Sequence, residues 1–522
     1  MSRTPSSEAD EKVPVPTPPN KDHALSHFRR SEVYNIAEVD PVLAKKMAAV
    51  NDAIDEIGLT PYHWKLFCLN GFGYAVDSML IVLQGITQPM VELEYKNPHP
   101  KLKGISMASA VGLLIGALFW GFSADIIGRK IAFNATLFMC AIATILAGAM
   151  PNYVSFAAFV AIAGFSAGGN YILDSTVFLE FVPSKKAWLV TLLAIWWAIG
   201  YTVAGLFAWA FLSNYSCEFG PPGKKPLPCK RADNMGWRYL HFSLGALVLV
   251  LSILRVTVLR LQHPAKWLIT QGRDSEVVEN LQGIATKYNR PLSLTVEQLL
   301  AYGEVDDVKQ SVWSARRLKA HVGALFQTRK LAYSTGVLFL VWGIIGIAYP
   351  LFYVFLPYYL ALRGYKAGQS SNYLTWRNFA VAKVCGLFGP AIAAYLVETR
   401  LLGRRGTLAV GSLLTMIFLF GYTQVKTPGQ NLGIVCSISV VSNIFYSTLY
   451  AYTPEILPSA HRATGSGLAV GVNRVMGIVA ILVASYSDVT TTAPIYICAS
   501  LFLVLTIATL VLPFEPRGKK AA

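Results

Sequence analysis

The chain has 522 residues, 54% of them hydrophobic and only 14% charged, with a mean hydropathy of +0.46. Soluble domains carry about 25% charged residues, so the composition excludes an ordinary soluble domain and puts most of the chain in lipid. The formal net charge of +16 does not point to nucleic acid, because the basic residues fall at loop positions that set membrane topology.

In chain order, a polar segment comes first. It holds Pro14, Pro16, Pro18 and Pro19 close together, and no apolar run follows its basic residues closely. Residues 1–60 therefore read as a disordered cytosolic tail and not as a signal peptide. Apolar runs of about 20 residues, enough to cross the hydrocarbon core, then recur. They lie near 64–86, 105–127, 131–150, 153–178, 187–212 and 239–261, and again near 333–359, 372–397, 406–425, 430–452, 465–486 and 492–512. The expected fold class is an all-α membrane protein of twelve transmembrane helices. Its two six-helix halves, 61–261 and 333–512, flank a polar loop at 262–332, and a short tail covers 513–522. Arg129, Lys130, Lys185, Lys186, Arg404, Arg405 and Arg462 share one side if the spans alternate, with the basic central loop. That places both termini in the cytosol, although Lys224, Lys225, Lys230 and Arg231 break the rule in the outer loop after the fifth span.

Two landmarks repeat at one displacement. Gly128-Arg129-Lys130 and Gly403-Arg404-Arg405 begin 275 residues apart, and so do Glu180-Phe181-Val182-Pro183-Ser184 and Glu455-Ile456-Leu457-Pro458-Ser459. Two unrelated motifs with the same offset indicate a duplicated unit, and parallel repeats build carriers that bind solute between two halves. The stretch from Gly121 through Asp125 to Gly128, Arg129 and Lys130 forms a short turn between two spans. Asp125 can accept from a helix N-terminus and pair with a guanidinium. Such a cluster would act as a latch where the cytosolic ends of the halves meet; the plain alternative is a solvated turn. In the second copy Arg400 stands 275 residues after Asp125 and Glu398 is the nearest acid, so the latch is expected to rest mostly on the first half.

This loop resembles that of the major facilitator superfamily. Gly71-Phe72-Gly73-Tyr74-Ala75-Val76-Asp77, Gly168-Gly169-Asn170 through Asp174, Gly236-Trp237-Arg238-Tyr239, and Tyr452-Thr453-Pro454-Glu455 with Arg462 are similar to its sugar-porter, organic-ion and synaptic-vesicle-glycoprotein-like branches. The resemblance covers roughly residues 55–516. It implies alternating access, with the first and fourth helices of each half facing a central cavity.

Charges inside spans are costly and face a cavity or a partner. Asp77 lies near the middle of the first span. Asp174 lies toward the cytosolic end of the fourth, one turn from Asn170. Each acid either carries the coupled proton or is structural, Asp77 as a satisfied polar residue in helix packing and Asp174 as the partner of a cytosolic-end arginine. Arg377 either reads an anionic solute with its two-pronged guanidinium or snorkels to the interface. Lys383, two turns deeper, is harder to explain by snorkelling. Arg474 is expected to pair with Glu455 or loop carbonyls, and Glu180 and Glu455 with Arg129 and Arg404. Asn443 and Tyr446 share a face of the tenth span, where a cavity role competes with packing.

Cys217 and Cys229 fall in the same outer loop, where a disulfide is compatible with the compartment. Asn214 opens a glycosylation sequon close to the membrane. There is no phosphate-binding loop, no H-E-x-x-H and no C-x-x-C, so no cofactor and no metal are expected. The expectation is a monomeric plasma-membrane carrier of a small polar organic solute, with a carboxylate moved together with protons as the best fit. A carrier of neutral sugars or polyols, an exporter and a non-transporting sensor are the alternatives.

Overall fold

In the computed structural model the described residues are 41–95, 103–127, 129–218, 229–258, 265–303, 322–323, 325–353, 356, 359–360, 371–457, 462–486 and 492–517. The side chains of 41, 121–133, 169–177, 256, 258, 267, 270 and 463 lie outside them. The helices are α1 (Pro41–Ile57), α2 (Pro61–Glu94), α3 (Gly104–Ile127), α4 (Arg129–Ala149), α5 (Tyr153–Phe181), α6 (Trp188–Leu193), α7 (Ile195–Leu212), α8 (Gly236–Val258), α9 (Ala265–Thr270), α10 (Asp274–Lys287), α11 (Val296–Leu300), α12 (Arg329–Tyr353), α13 (Asn372–Cys385), α14 (Phe388–Leu396), α15 (Gly403–Tyr422), α16 (Pro428–Ile456), α17 (Arg462–Tyr486) and α18 (Ala493–Leu510). Among the described residues nine helices are long and apolar enough to cross a membrane, and three shorter apolar stretches fall on the second, third and fourth expected spans.

Local chemistry starts these helices. Thr427 and Gln430 form a capping box ahead of α16, with Pro428 at its first position, where a missing N–H costs nothing. Asn152 caps α5 by accepting from the Ser155 amide at 2.9 Å. The fifth span tightens locally at Ala194, between α6 and α7, and the eighth at Gly386–Leu387, between α13 and α14, without leaving helical backbone angles.

The packing repeats with the sequence. In the first half α2 lies on α7, α3 on α5, and α4 on both α5 and α8. In the second half α12 lies on α17, α13 and α14 on α16, and α15 on both α16 and α18. Across the middle α3 meets α17 and α7 meets α13, which are the same contact with the halves exchanged. Within the first half, α3 and α5 touch backbone to backbone. A Cβ on Gly112 or Gly116 would come within 2.2 or 2.0 Å of the Ala161 or Phe165 carbonyl oxygen, and one on Gly164 or Gly168 within 2.6 or 2.4 Å of Ser109 or Leu113 oxygen. Lipid does not drive helices together as water does, so close approach through small residues supplies the contact.

The tail expected to lack structure over 1–60 contains α1. Leu43, Met47, Val50, Ile54 and Ile57 recur at helical spacing and bury against Leu268, Ile269, Val277, Leu281, Ile284 and Leu299. This small core gathers α1 with α9, α10 and α11 of the central loop. Lys46 and Asp274 form a buried ion pair inside it. Asp55 accepts from the Ser184 amide at 2.7 Å, which fastens the core beneath the junction of α5 and α6. We call this the terminal end of the bundle, and the opposite one the disulfide end.

Candidate functional site

A cavity with about 880 Å³ of empty space, part of it open to solvent, lies between the halves. Its walls come from α2, α3 and α7 on one side and α12, α16 and α17 on the other. Aromatic rings dominate. Tyr446 and Tyr450 stand four apart on one face of α16 and stack at 6.1 Å between centroids. Tyr349 packs edge-on to Tyr446 at 4.9 Å and stacks on Tyr353 at 4.4 Å. Trp197 stacks on Tyr450 at 6.2 Å from the opposite half. The hydroxyl of Tyr349 donates to that of Tyr201 at 2.6 Å, joining the halves through the wall.

The polar lining is sparse: Gln84, Ser106 and Ser109 from the first half, and Asn443, Asn473 and Arg474 from the second. Asn473 donates to the Trp342 carbonyl at 3.1 Å and Asn443 to the Ser439 carbonyl at 2.7 Å. The Gln84 side-chain oxygen accepts no hydrogen bond among the described residues. Arg474 is the one lining residue with a formal charge among the described residues.

Of the site residues expected from sequence, the structure brings Asn443 and Tyr446 to this cavity. Arg377 is not in its lining; its guanidinium is turned aside to Asn378, donating at 3.0 and 3.3 Å. Asp77 is 1% exposed and also outside the lining, and its charge is felt by Cys140 on α4 and Tyr450 on α16. The side chains of Asn170 and Asp174 lie outside the described residues. Lys383 is buried one ring behind the wall. Its ammonium sits 4.9, 4.5 and 5.0 Å from the ring centres of Tyr201, Tyr353 and Phe379. Its backbone carbonyl accepts from Thr202 across the seam between halves at 3.1 Å.

Of the two partners expected for Arg474, Glu455 is engaged elsewhere. Arg474 lines the cavity, while Glu455 is taken by Arg404 in a two-pronged pair at 2.9 and 3.2 Å. Sequence also passed over Gln84, Ser106, Ser109 and Asn473. The available signal was polar residues within apolar runs, Ser106 and Ser109 three apart.

At the terminal end the second copy of the latch is rich in acids. Arg404 is buried among Glu455 and Glu398, the latter at 3.4 Å. Glu515, beyond the last span, accepts from the Arg404 and Arg405 amides at 2.9 and 3.0 Å. The C-terminal tail thus supplies a carboxylate beside Glu398 that the sequence reading did not count there. Arg462 donates to the Pro454 carbonyl at 2.7 Å and feels the charges of both Glu180 and Glu455, so this cluster spans the halves. Gly121, Asp125, Gly128 and Arg129 lie outside the described residues or have side chains that do.

At the disulfide end Cys217 and Cys229 are bonded, with Cα atoms 6.1 Å apart. Asn372 of α13 donates to the Cys217 carbonyl at 2.9 Å across the halves. Asn214 is exposed just past α7. No group of three potential metal ligands occurs among the described residues.

A family model described as Major Facilitator Superfamily matches residues 67–481. The MFS siderochrome iron transporter 1 of Ceriporiopsis subvermispora is 40% identical over 499 residues, covering 94% of each chain. The niacin transporter NiaP of Acinetobacter baylyi is 26% identical, over 83% of this chain and 89% of that protein. Among solved structures, the xylose transporter XylE from E. coli in a partially occluded inward-open conformation superposes with a TM-score of 0.64 at 14% identity. The match covers 87% of this chain and 99% of that one, and it concerns the fold alone.

Proposed function

The chain belongs to the major facilitator superfamily, a multi-pass membrane transporter of a small solute, and on that premise we propose that its solute is an organic anion: a carboxylate carried on a flat ring and moved with protons by alternating access. The observation that carries this reading is the cavity's composition, one arginine set in a wall of Trp197, Tyr201, Tyr349, Tyr446 and Tyr450. A guanidinium matches two carboxylate oxygens, and aromatic walls favour a planar ring through edge and face contacts. The Gln84 oxygen in the wall, without a donor among the described residues, suits a donor on the solute. The relative named as a niacin transporter fits the same chemistry, since niacin is a pyridine carboxylic acid.

In this reading the halves are 61–261 and 333–512 and both termini face the cytosol, with the basic loops. The membrane is the plasma membrane and the unit is the monomer. The charged terminal-end cluster around Arg462 and the Asn372 contact at the disulfide end are the two gates. The test is competition uptake in a host lacking its own carriers, at acidic and neutral pH. Nicotinate and benzoate should compete, and nicotinamide, xylose and a ferric siderophore should not. Competition by nicotinamide equal to that by nicotinate would remove the anion from the reading.

A further inference from the structure

We propose that Lys383 is the residue that takes up and releases the coupled proton; this rests on the anion reading above. The side chain is 3% exposed, at the seam where α13 crosses α7. Three ring faces surround its ammonium. No hydrogen-bond acceptor or carboxylate contacts it among the described residues. Cation–π contact offsets only part of the cost of burying a charge. Such a site needs either a counter-charge or the loss of its proton.

The groups that face it are known from each packed element. Tyr201 comes from α7, Tyr353 from α12 and Phe379 from α13 itself, and behind the Tyr353 ring stand Tyr349 of α12 and Ser442 of α16. The Tyr353 hydroxyl is engaged with Ser442 and that of Tyr349 with Tyr201. Arg474 of α17 is the other cation of this region, and its charge reaches Tyr201 and Tyr446. The charge of Asp77 is felt instead by Cys140 and Tyr450.

An anion in the cavity would sit one tyrosine ring from Lys383, because Tyr201 both lines the cavity and carries the ammonium on its face. At that range, out of bulk water, opposite charges still attract. Anion binding and protonation therefore favour one another, and by linkage the effect is reciprocal. The neutral amine gains a proton from the side on which the anion enters and returns it to water on the side where the anion leaves. One carboxylate and one proton move together, and no net charge crosses.

The experiment uses the full chain in proteoliposomes, with nicotinate as probe and a pH dye inside. Wild type should accumulate nicotinate about tenfold per unit of imposed pH gradient, whatever the clamped membrane potential. Lys383→Met keeps the stem and removes the amine. It should retain exchange of nicotinate for nicotinate yet lose gradient-driven accumulation, its ratio falling to about one. Lys383→Arg keeps the charge and the ring contacts but cannot shed a proton, so it should bind nicotinate and lose accumulation as well. Full accumulation in either variant would overturn the assignment and leave the anion reading standing. No nicotinate uptake by wild type would overturn both.

Discussion

Gly403→Ala is the substitution whose cost can be worked most fully from the structure. Gly403 has φ of +57°, a left-handed conformation that costs an L residue roughly 1–2 kcal/mol. An added Cβ would also lie 2.7 Å from the Glu515 carboxyl carbon and 2.9 Å from each of its oxygens. That carboxylate satisfies two amides in the first turn of α15, which have no partner within the helix. Hydrogen bonds to a charged group contribute about 1.5–3 kcal/mol each, and taking the lower value for a half-buried tail residue gives about 3 kcal/mol for the pair. Gly403→Ala should therefore cost about 4–5 kcal/mol and Glu515→Ala about 3 kcal/mol. Once Glu515 is gone, Gly403→Ala should cost only the backbone part, so the double variant falls short of the sum by about 3 kcal/mol. Unfolding of the purified protein by SDS titration measures all four corners of the cycle. Strictly additive costs would show that the tail carboxylate does not close this helix.

Arg474→Lys replaces a fork with a point charge and should raise the nicotinate KM roughly 10- to 100-fold, from about 1.5–3 kcal/mol of lost pairing, at unchanged surface expression; an unaltered KM from uptake kinetics would take Arg474 out of solute recognition. Asp77→Asn should lower thermal stability yet keep proton-driven accumulation, since the acid does not line the cavity; loss of coupling with exchange intact would move the proton site to α2. Cys217→Ser opens a disulfide spanning 12 residues and should cost roughly 2–4 kcal/mol of stability. It should also free the Cys217 carbonyl from Asn372 and loosen the disulfide end, read as a lower melting midpoint that Asn372→Ala reproduces in part.

The sequence carried the repeat because a displacement of 275 is a property of the chain and needs no geometry. The Arg404–Glu455 pair is a local consequence of each copy, and the helical spacing of Asn443 and Tyr446 was visible as well. Azimuth was not. A span that is apolar nearly all round gives no reference face, so nothing in the order of residues turned Arg377 toward Asn378 or Arg474 toward the cavity. Glu515 escaped because it reaches Arg404 from the far end of the half. Helix α1 was masked by the proline-rich stretch before it, although Leu43, Met47, Val50, Ile54 and Ile57 keep strict helical spacing.

The glycine seam between α3 and α5 has a mechanical meaning. Where the two backbones touch, few side chains intervene to slide or re-pack, and the pair is stiffer than an ordinary helix contact. One edge of that pair, at Ser106 and Ser109, is cavity wall. The other runs down α5 to Glu180, whose charge reaches Arg462 of the opposite half. The seam thus puts a stretch of cavity wall and a member of the ionic cluster on one stiff unit, at opposite ends of the bundle.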